Sequence, residues 1–276
     1  MKKITLFTLT VFIILYTQSS CRKVYDYIHD HPDGHESLCR ITQLRLLGAA
    51  HERDTFNVIY NSQGDPVSLL ATNSVPNGTN LDQYFRYDHH GRLSDYLVTF
   101  TQATGVLIWH KYAYPRNNFV VDTVINYPDN AVDGPAPIAG VGPGYYYIQG
   151  WTLDAFGRIV KWWSIPTDPT QPPGLLSTVT YDANGNTPLS RPDLTYDNKV
   201  NPYRTNKVWQ FVYINYSRNN LLQADHSFTP VYNDFGLPLN IPNLLPFDVQ
   251  HFGLEDTGSQ IDISYACSAP KGPVNY

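Results

Sequence analysis

The sequence predicts an all-β protein, an antiparallel meander of hairpins forming one large twisted sheet. Three observations carry this. Twenty-one tyrosines, 21 prolines and 18 glycines stand against three glutamates, which is poor material for helices and good material for strands and turns. Strand-length runs of β-branched and aromatic residues recur along the chain, cut by turn formers. One turn pattern occurs five times: "YNSQG" at Tyr60–Gly64, "YDHHG" at Tyr87–Gly91, "LDAFG" at Leu153–Gly157, "YDANG" at Tyr181–Gly185 and "YNDFG" at Tyr232–Gly236. A sheet of this size must curl into an open barrel or cover one face as a two-layer sandwich to bury its apolar side.

Residues 1–20 read as a signal peptide: Lys2 and Lys3, an apolar run from Ile4 to Tyr16, then small residues. The run is shorter than the roughly 20 apolar residues a membrane-spanning helix needs. Residues 21–38 are a polar tether, residues 39–268 a single all-β domain, and residues 269–276 a C-terminal tail. Within the domain, strand signals fall at 39–47, 55–60, 66–72, 81–87, 92–100, 105–114, 118–127, 145–153, 158–165, 175–181 and 259–267. The Gly/Pro-rich stretches 128–144 and 166–174 read as loops. "KVWQFVYINY" (207–216) alternates like a strand, and "NNLLQADH" (219–226) suits a short helix.

The repeated pattern has a physical meaning. A type I turn favours Asp or Asn at its first position, where the side-chain oxygen accepts from backbone N–H groups further on. It favours Gly at the fourth, where the chain turns to positive φ to form the bulge that returns it to the ladder. Asp88 with Gly91, Asp154 with Gly157, and Asp182 with Gly185 satisfy both demands, and Asn61 with Gly64 and Asn233 with Gly236 satisfy the amide version. His89 and His90 occupy middle positions that face solvent. The aromatic before the turn and the aliphatic after it are expected to meet as cross-strand neighbours.

These hairpins resemble the tyrosine–aspartate (YD, RHS-type) repeat, whose hairpins add side by side into a continuous antiparallel sheet. Successive leading positions lie 27, 66, 28 and 51 residues apart, an irregularity that argues against a large RHS-type shell. "QSSC" at Gln18–Cys21 resembles a bacterial lipobox, which implies that Cys21 becomes the first residue of the mature chain and carries lipid. Together with "YDNKVNPY" (Tyr196–Tyr203) and "ISYAC" (Ile263–Cys267), these features are similar to envelope lipoproteins of the Bacteroidota. The resemblance implies a cell-envelope location and assigns no activity. The basic residues directly after Cys21 favour the periplasmic side of the outer membrane over the surface.

In an oxidising envelope the remaining cysteines, Cys39 and Cys267, are available to each other as a disulfide or stand as two buried thiols, and spacing leaves both open. The chain's net charge is −5 and becomes more acidic once Lys2 and Lys3 leave. No basic stripe exists, so no nucleic-acid partner is expected. The histidines and acids of "HDHPDGHE" in the tether lack a rigid frame, so no metal site is predicted. "HERDT" at His51 lacks the second histidine of a zinc-protease helix, and neither a G-x-S-x-G elbow nor a phosphate-binding loop occurs. No catalytic residue and no cofactor is predicted. Trp151, on one arm of the "LDAFG" hairpin, and Trp162 and Trp163, on the other, are the candidate ligand platform, since adjacent strand residues face opposite sides. The functional expectation is a non-catalytic envelope lipoprotein, held to a membrane by lipid at Cys21, acting as a scaffold or binding module for an envelope protein or glycan. Its rivals are a glycan-binding accessory protein using those tryptophans and a polysaccharide or cell-wall hydrolase.

Overall fold

Each of the five glycine-ended corners folds the chain back on itself in the computed structural model. It describes residues 39–47, 55–72, 81–100, 107–127, 132–133, 136–137, 143–189, 192–212, 216–225, 228–242 and 260–268. At every corner the Oδ1 of the leading residue (Asn61, Asp88, Asp154, Asp182 or Asn233) accepts from the backbone N–H groups two and four residues on, at 2.8–3.0 Å. The glycine N–H donates to the carbonyl of that leading residue, and each glycine has positive φ, between 72° and 95°. The ladders then shift register by a bulge, pairing Tyr60 with Pro66, Tyr87 with Leu93, and Leu153 with Ile159.

The strands follow in chain order as β1 (Cys39–Leu47), β2 (Thr55–Tyr60), β3 (Pro66–Ala71), β4 (Leu81–Tyr87), β5 (Leu93–Phe100), β6 (Leu107–Arg116) and β7 (Phe119–Tyr127). A two-strand clip, β8 (Val132–Asp133) with β9 (Ala136–Pro137), interrupts the long Gly/Pro stretch. Then come β10 (Tyr145–Leu153), β11 (Ile159–Ile165), β12 (Gly174–Thr178), β13 (Leu194–Val200), β14 (Asn219–Gln223), β15 (Asn240–Pro242) and β16 (Gln260–Cys267). Twelve of these form one antiparallel sheet in the order β12-β11-β10-β7-β6-β5-β4-β3-β2-β1-β16-β15. The first and last strands of the chain pair along their lengths, and Cys39 is disulfide-bonded to its register partner Cys267. That pairing does not close the sheet into a barrel, because β12 and β15 remain its two ends.

The corners are stitched to one another. At two corners the leading tyrosine donates its hydroxyl to the carbonyl two residues past the preceding glycine: Tyr87 to Pro66 at 2.7 Å and Tyr181 to Ile159 at 3.3 Å. Tyr114, ahead of the β6–β7 turn, does the same to Leu93 at 2.8 Å, and Tyr265 does so to Pro238 at 2.9 Å. Arg92 and Arg158, directly after their glycines, bind their own corner aspartates through Nε and Nη2. Their guanidinium carbons also sit 4.3 and 4.0 Å from the ring centres of Tyr114 and Tyr181. One arginine thus holds its own turn and the aromatic of the next, a joint charge-assisted and cation–π contact.

Two elements correct the sequence reading. The strand expected over 207–216 is not formed by its described part 207–212: Trp209–Val212 is a short helix, α1, preceded by a 3₁₀ turn over Pro202–Thr205. Asn201 and Asn206 cap these turns, accepting from the N–H groups of Tyr203 and Val208. Val208, Trp209 and Gln210 are buried in succession, with Phe211 and Val212 half-buried, so no two-residue period applies. Conversely, "NNLLQ" is β14, alternating in burial and paired with β13, because Asp197 accepts from both the backbone and side chain of Asn220.

The 3₁₀ turn and α1 fill the hollow of the sheet. Asn206 donates to the Gly64 carbonyl and to Asp65 at the β2–β3 corner, while Gln210 bonds the Gly157 carbonyl and the Ile159 N–H at the β10–β11 corner. Those corners are six strand spacings apart, about 29 Å on a flat sheet, whereas residues four apart in this turned and helical segment advance only about 6–8 Å, which the two side chains and their hydrogen bonds extend by roughly 7 Å each. The sheet must therefore be strongly curved around this plug. Trp209 meets Phe85 edge-on at 5.8 Å, and Phe211 lies 5.5 and 5.6 Å from Tyr112 and Trp151. The β13–β14 hairpin spans the remaining gap at the corner end. Asn219 and Asn186 exchange hydrogen bonds on the β12 side, and Tyr232 bonds Asp197 on the β15 side.

Candidate functional site

The three tryptophans of the "LDAFG" hairpin have three different fates. Trp151 and Trp162 are Cα partners on adjacent strands and share the inner face. Trp151 is 1 % exposed, packed beneath Tyr112 and Phe211. This removes Trp151 from the candidate ligand platform, since its position lies under the plug, where a large ring is needed to fill the hollow. Trp163 faces the outer side, where its indole N–H donates to the Thr152 hydroxyl at 2.9 Å and the Lys161 ammonium lies 5.9 Å from its ring. Trp162 is half-buried, and its N–H donates to Gln149 Oε1 at 2.8 Å, so the plane of the ring is held.

Trp162 walls a groove of about 330 Å³ with Tyr147, Gln149, Ser164, Thr167 and Leu176. The groove sits where β10 begins and β11 ends, away from the Asp154–Gly157 corner. Cys39 lies at the opposite end of the sheet, since Tyr60 at the first corner bonds the Ile41 carbonyl. The hydroxyls of Tyr147, Ser164 and Thr167 make no hydrogen bond among the described residues. Burial pushes the Tyr147 hydroxyl's pKa up, and the charge of Asp122 pushes it further, so the hydroxyl stays a proton donor at neutral pH.

Behind the groove runs a buried polar row that crosses five strands, from β10 to β4. Gln149 Nε2 donates to Asp122 Oδ2 at 2.6 Å, and His110 Nδ1 lies 2.9 Å from the same oxygen. The Asp122 side chain is fully buried, and its Oδ1 has no hydrogen-bond partner among the described residues. His110 is stacked between Tyr96 at 5.3 Å and Tyr112 at 6.1 Å. Beyond the stack, the Tyr96 hydroxyl donates to Gln83. Sequence reading missed this row. Its signal was nevertheless present, because Asp122 stands between Val120 and Val124 on the inward-facing positions of "FVVDTVINY", where an apolar residue belongs.

The corner aspartates Asp88, Asp154 and Asp182 are engaged in their turns and stand apart from the groove. Among the described residues no group of three or more His, Cys, Asp and Glu side chains could hold a metal ion. No described helix is long and apolar enough to cross a membrane. Cys21, the histidines of the tether and His51 lie outside the described residues.

No family model matches this sequence, and no curated protein is significantly similar to it.

Proposed function

We propose that this chain is a non-catalytic binding module of the bacterial envelope, anchored by lipid on Cys21 and presenting the Trp162 groove away from the membrane. The groove carries the reading. Its walls are aromatic, aliphatic and neutral polar, the usual make-up of a recognition site. Asp122, the carboxylate behind it, is buried and shared by Gln149 and His110, and no acid stands among the described residues that line the groove. Acid–base hydrolysis of a glycan requires a pair of carboxyl groups flanking the bond. A frame built from stitched corners and a chain-spanning disulfide gives such a site rigid support. The tether joins the fold at Cys39, at the corner end, so a lipid on Cys21 draws on that end and leaves the groove end free.

The test expresses the full chain in a Gram-negative host fed an alkyne palmitate. The wild type is expected to take label and sediment with membranes, and Cys21→Ser is expected to lose the label and become soluble. Label independent of Cys21 would refute the anchor. Release of new reducing ends from cell-wall or storage polysaccharides by the purified chain would refute the non-catalytic reading.

A further inference from the structure

We infer that the groove beside Trp162 is a subsite for an uncharged pyranose unit of a glycan, a deepening that rests on the binding-module reading above. The argument starts from the ring. Hydrogen-bonding its indole N–H to Gln149 Oε1 fixes the orientation of Trp162, and Gln149 is fixed in turn by Asp122. A planar ring held half-buried at the groove wall offers a flat, electron-rich surface. The C–H face of a sugar ring, with its slightly positive hydrogens, is complementary to that surface.

The polar groups sit where a stacked sugar needs them. Hydroxyls of Tyr147, Ser164 and Thr167 line the same groove and make no hydrogen bond among the described residues. Hydroxyls can donate and accept, which suits the paired demands of sugar hydroxyls. Leu176 closes the wall from the edge strand β12. At about 330 Å³ the space lies at the low end of small-ligand sites, roughly 300–1,000 Å³, and suits one or two sugar rings.

Charge selects among sugars. None of the described lining residues is cationic, and Lys161, the nearest cation along β11, lies on the outer face with Trp163. The carboxylate behind Gln149 is buried where water screens it poorly. An anionic sugar would find no counter-charge among the described residues that line the groove. The occupant is therefore a neutral hexose or pentose unit rather than a uronate, a sialate or a phosphorylated sugar.

The experiment titrates the full chain in a sugar-free zwitterionic detergent with neutral oligosaccharides (cello-, laminari-, malto-, xylo- and manno-series) and with oligogalacturonate, by calorimetry and tryptophan emission. At least one neutral series is expected to bind, and oligogalacturonate is expected not to. Trp162→Ala should weaken the best binder by about tenfold or more, while Trp163→Ala on the opposite face leaves it unchanged. Ser164→Arg, at an exposed position, fills the groove and should abolish binding with the thermal unfolding of the protein preserved, which guards against a Trp162 variant that fails to fold. The inference is overturned if no neutral series binds, if oligogalacturonate binds as well as any, or if Trp163→Ala weakens binding as much as Trp162→Ala. Probe integrity is followed in the same samples. An intact, unbound probe overturns the sugar assignment alone, whereas cleavage overturns the non-catalytic reading.

Discussion

The corner glycines offer the sharpest test of why this chain folds as it does. Gly91 has φ +72° and Gly157 φ +76°, and a Cβ added at either would meet nothing within 4 Å. Replacing them with alanine therefore probes backbone strain with no packing contribution. Left-handed backbone costs a non-glycine residue about 1–2 kcal/mol, and the stiffer unfolded chain returns about 0.4–1 kcal/mol. The net loss for Gly91→Ala or Gly157→Ala should be about 1 kcal/mol. Asparagine tolerates this region better, so Gly→Asn should cost less than Gly→Ala, and β-branched Gly→Val more. Urea unfolding should show a lower midpoint with an unchanged slope, and thermal unfolding a drop of about 2–4 °C for the alanine variants. His90→Ala, at an exposed middle position of the same turn, is the control and should be neutral. At Gly150 the cause differs: φ is not in the left-handed region, but a Cβ would lie 2.7 Å from Phe119 Cζ and 3.0 Å from Ile165 Cδ1, so Gly150→Ala should cost stability by overpacking. A Gly91→Ala protein as stable as wild type, or a ranking in which Asn is worse than Ala, would refute the strain argument.

Three further outcomes follow from the same framework. Cys39→Ser should destabilise by up to about 5 kcal/mol from lost loop constraint alone, given the sequence separation of 228 between the bridged cysteines, and reduction of the wild type should reproduce the loss in urea melts. Trp209→Ala, removing a ring with no exposure from the plug, should cost about 3–5 kcal/mol, read as the largest midpoint shift among single core variants. Stability should fall at both extremes of pH. Burial first, against the opposing charge of Arg158, pushes the Tyr181 hydroxyl up to about 12, so its contribution is whole below pH 10 and is lost as pH rises through about 12. Asp88 runs the other way: loss of hydration would raise it, but the N–H groups of Arg92 and His90 and the Arg92 guanidinium hold it at about 2. Its contribution is present above the ordinary carboxylate range and is lost as pH falls through about 2; exposure limits it to below about 1 kcal/mol. Asp88→Asn should flatten the acid limb of a thermal-melt series, and Tyr181→Phe the alkaline limb.

The local rules of this protein are written in its sequence. An aspartate or asparagine and a glycine three positions apart close a turn through atoms only a few residues from one another, so the five corners and most strands could be read without knowing the rest of the molecule. Alternation placed Trp162 and Trp163 on opposite faces for the same reason. Tertiary structure decided whatever depends on residues far apart in the chain. "VWQFV" has a strand-like pattern, yet most of it becomes a helix as the corners at Gly64 and Gly157 converge on its neighbours and bury Val208, Trp209 and Gln210 in succession. "NNLLQ" becomes a strand because Asp197 waits across from it. The bridge between Cys39 and Cys267 exists because the chain's two end strands meet as register partners in the sheet. The groove was illegible for the same cause: Trp162, Gln149 and Asp122 belong to three strands, and only a curved sheet brings an indole, an amide and a carboxylate into one line. Short-range hydrogen bonding specified the corners, and the burial of a shared interior specified what they enclose.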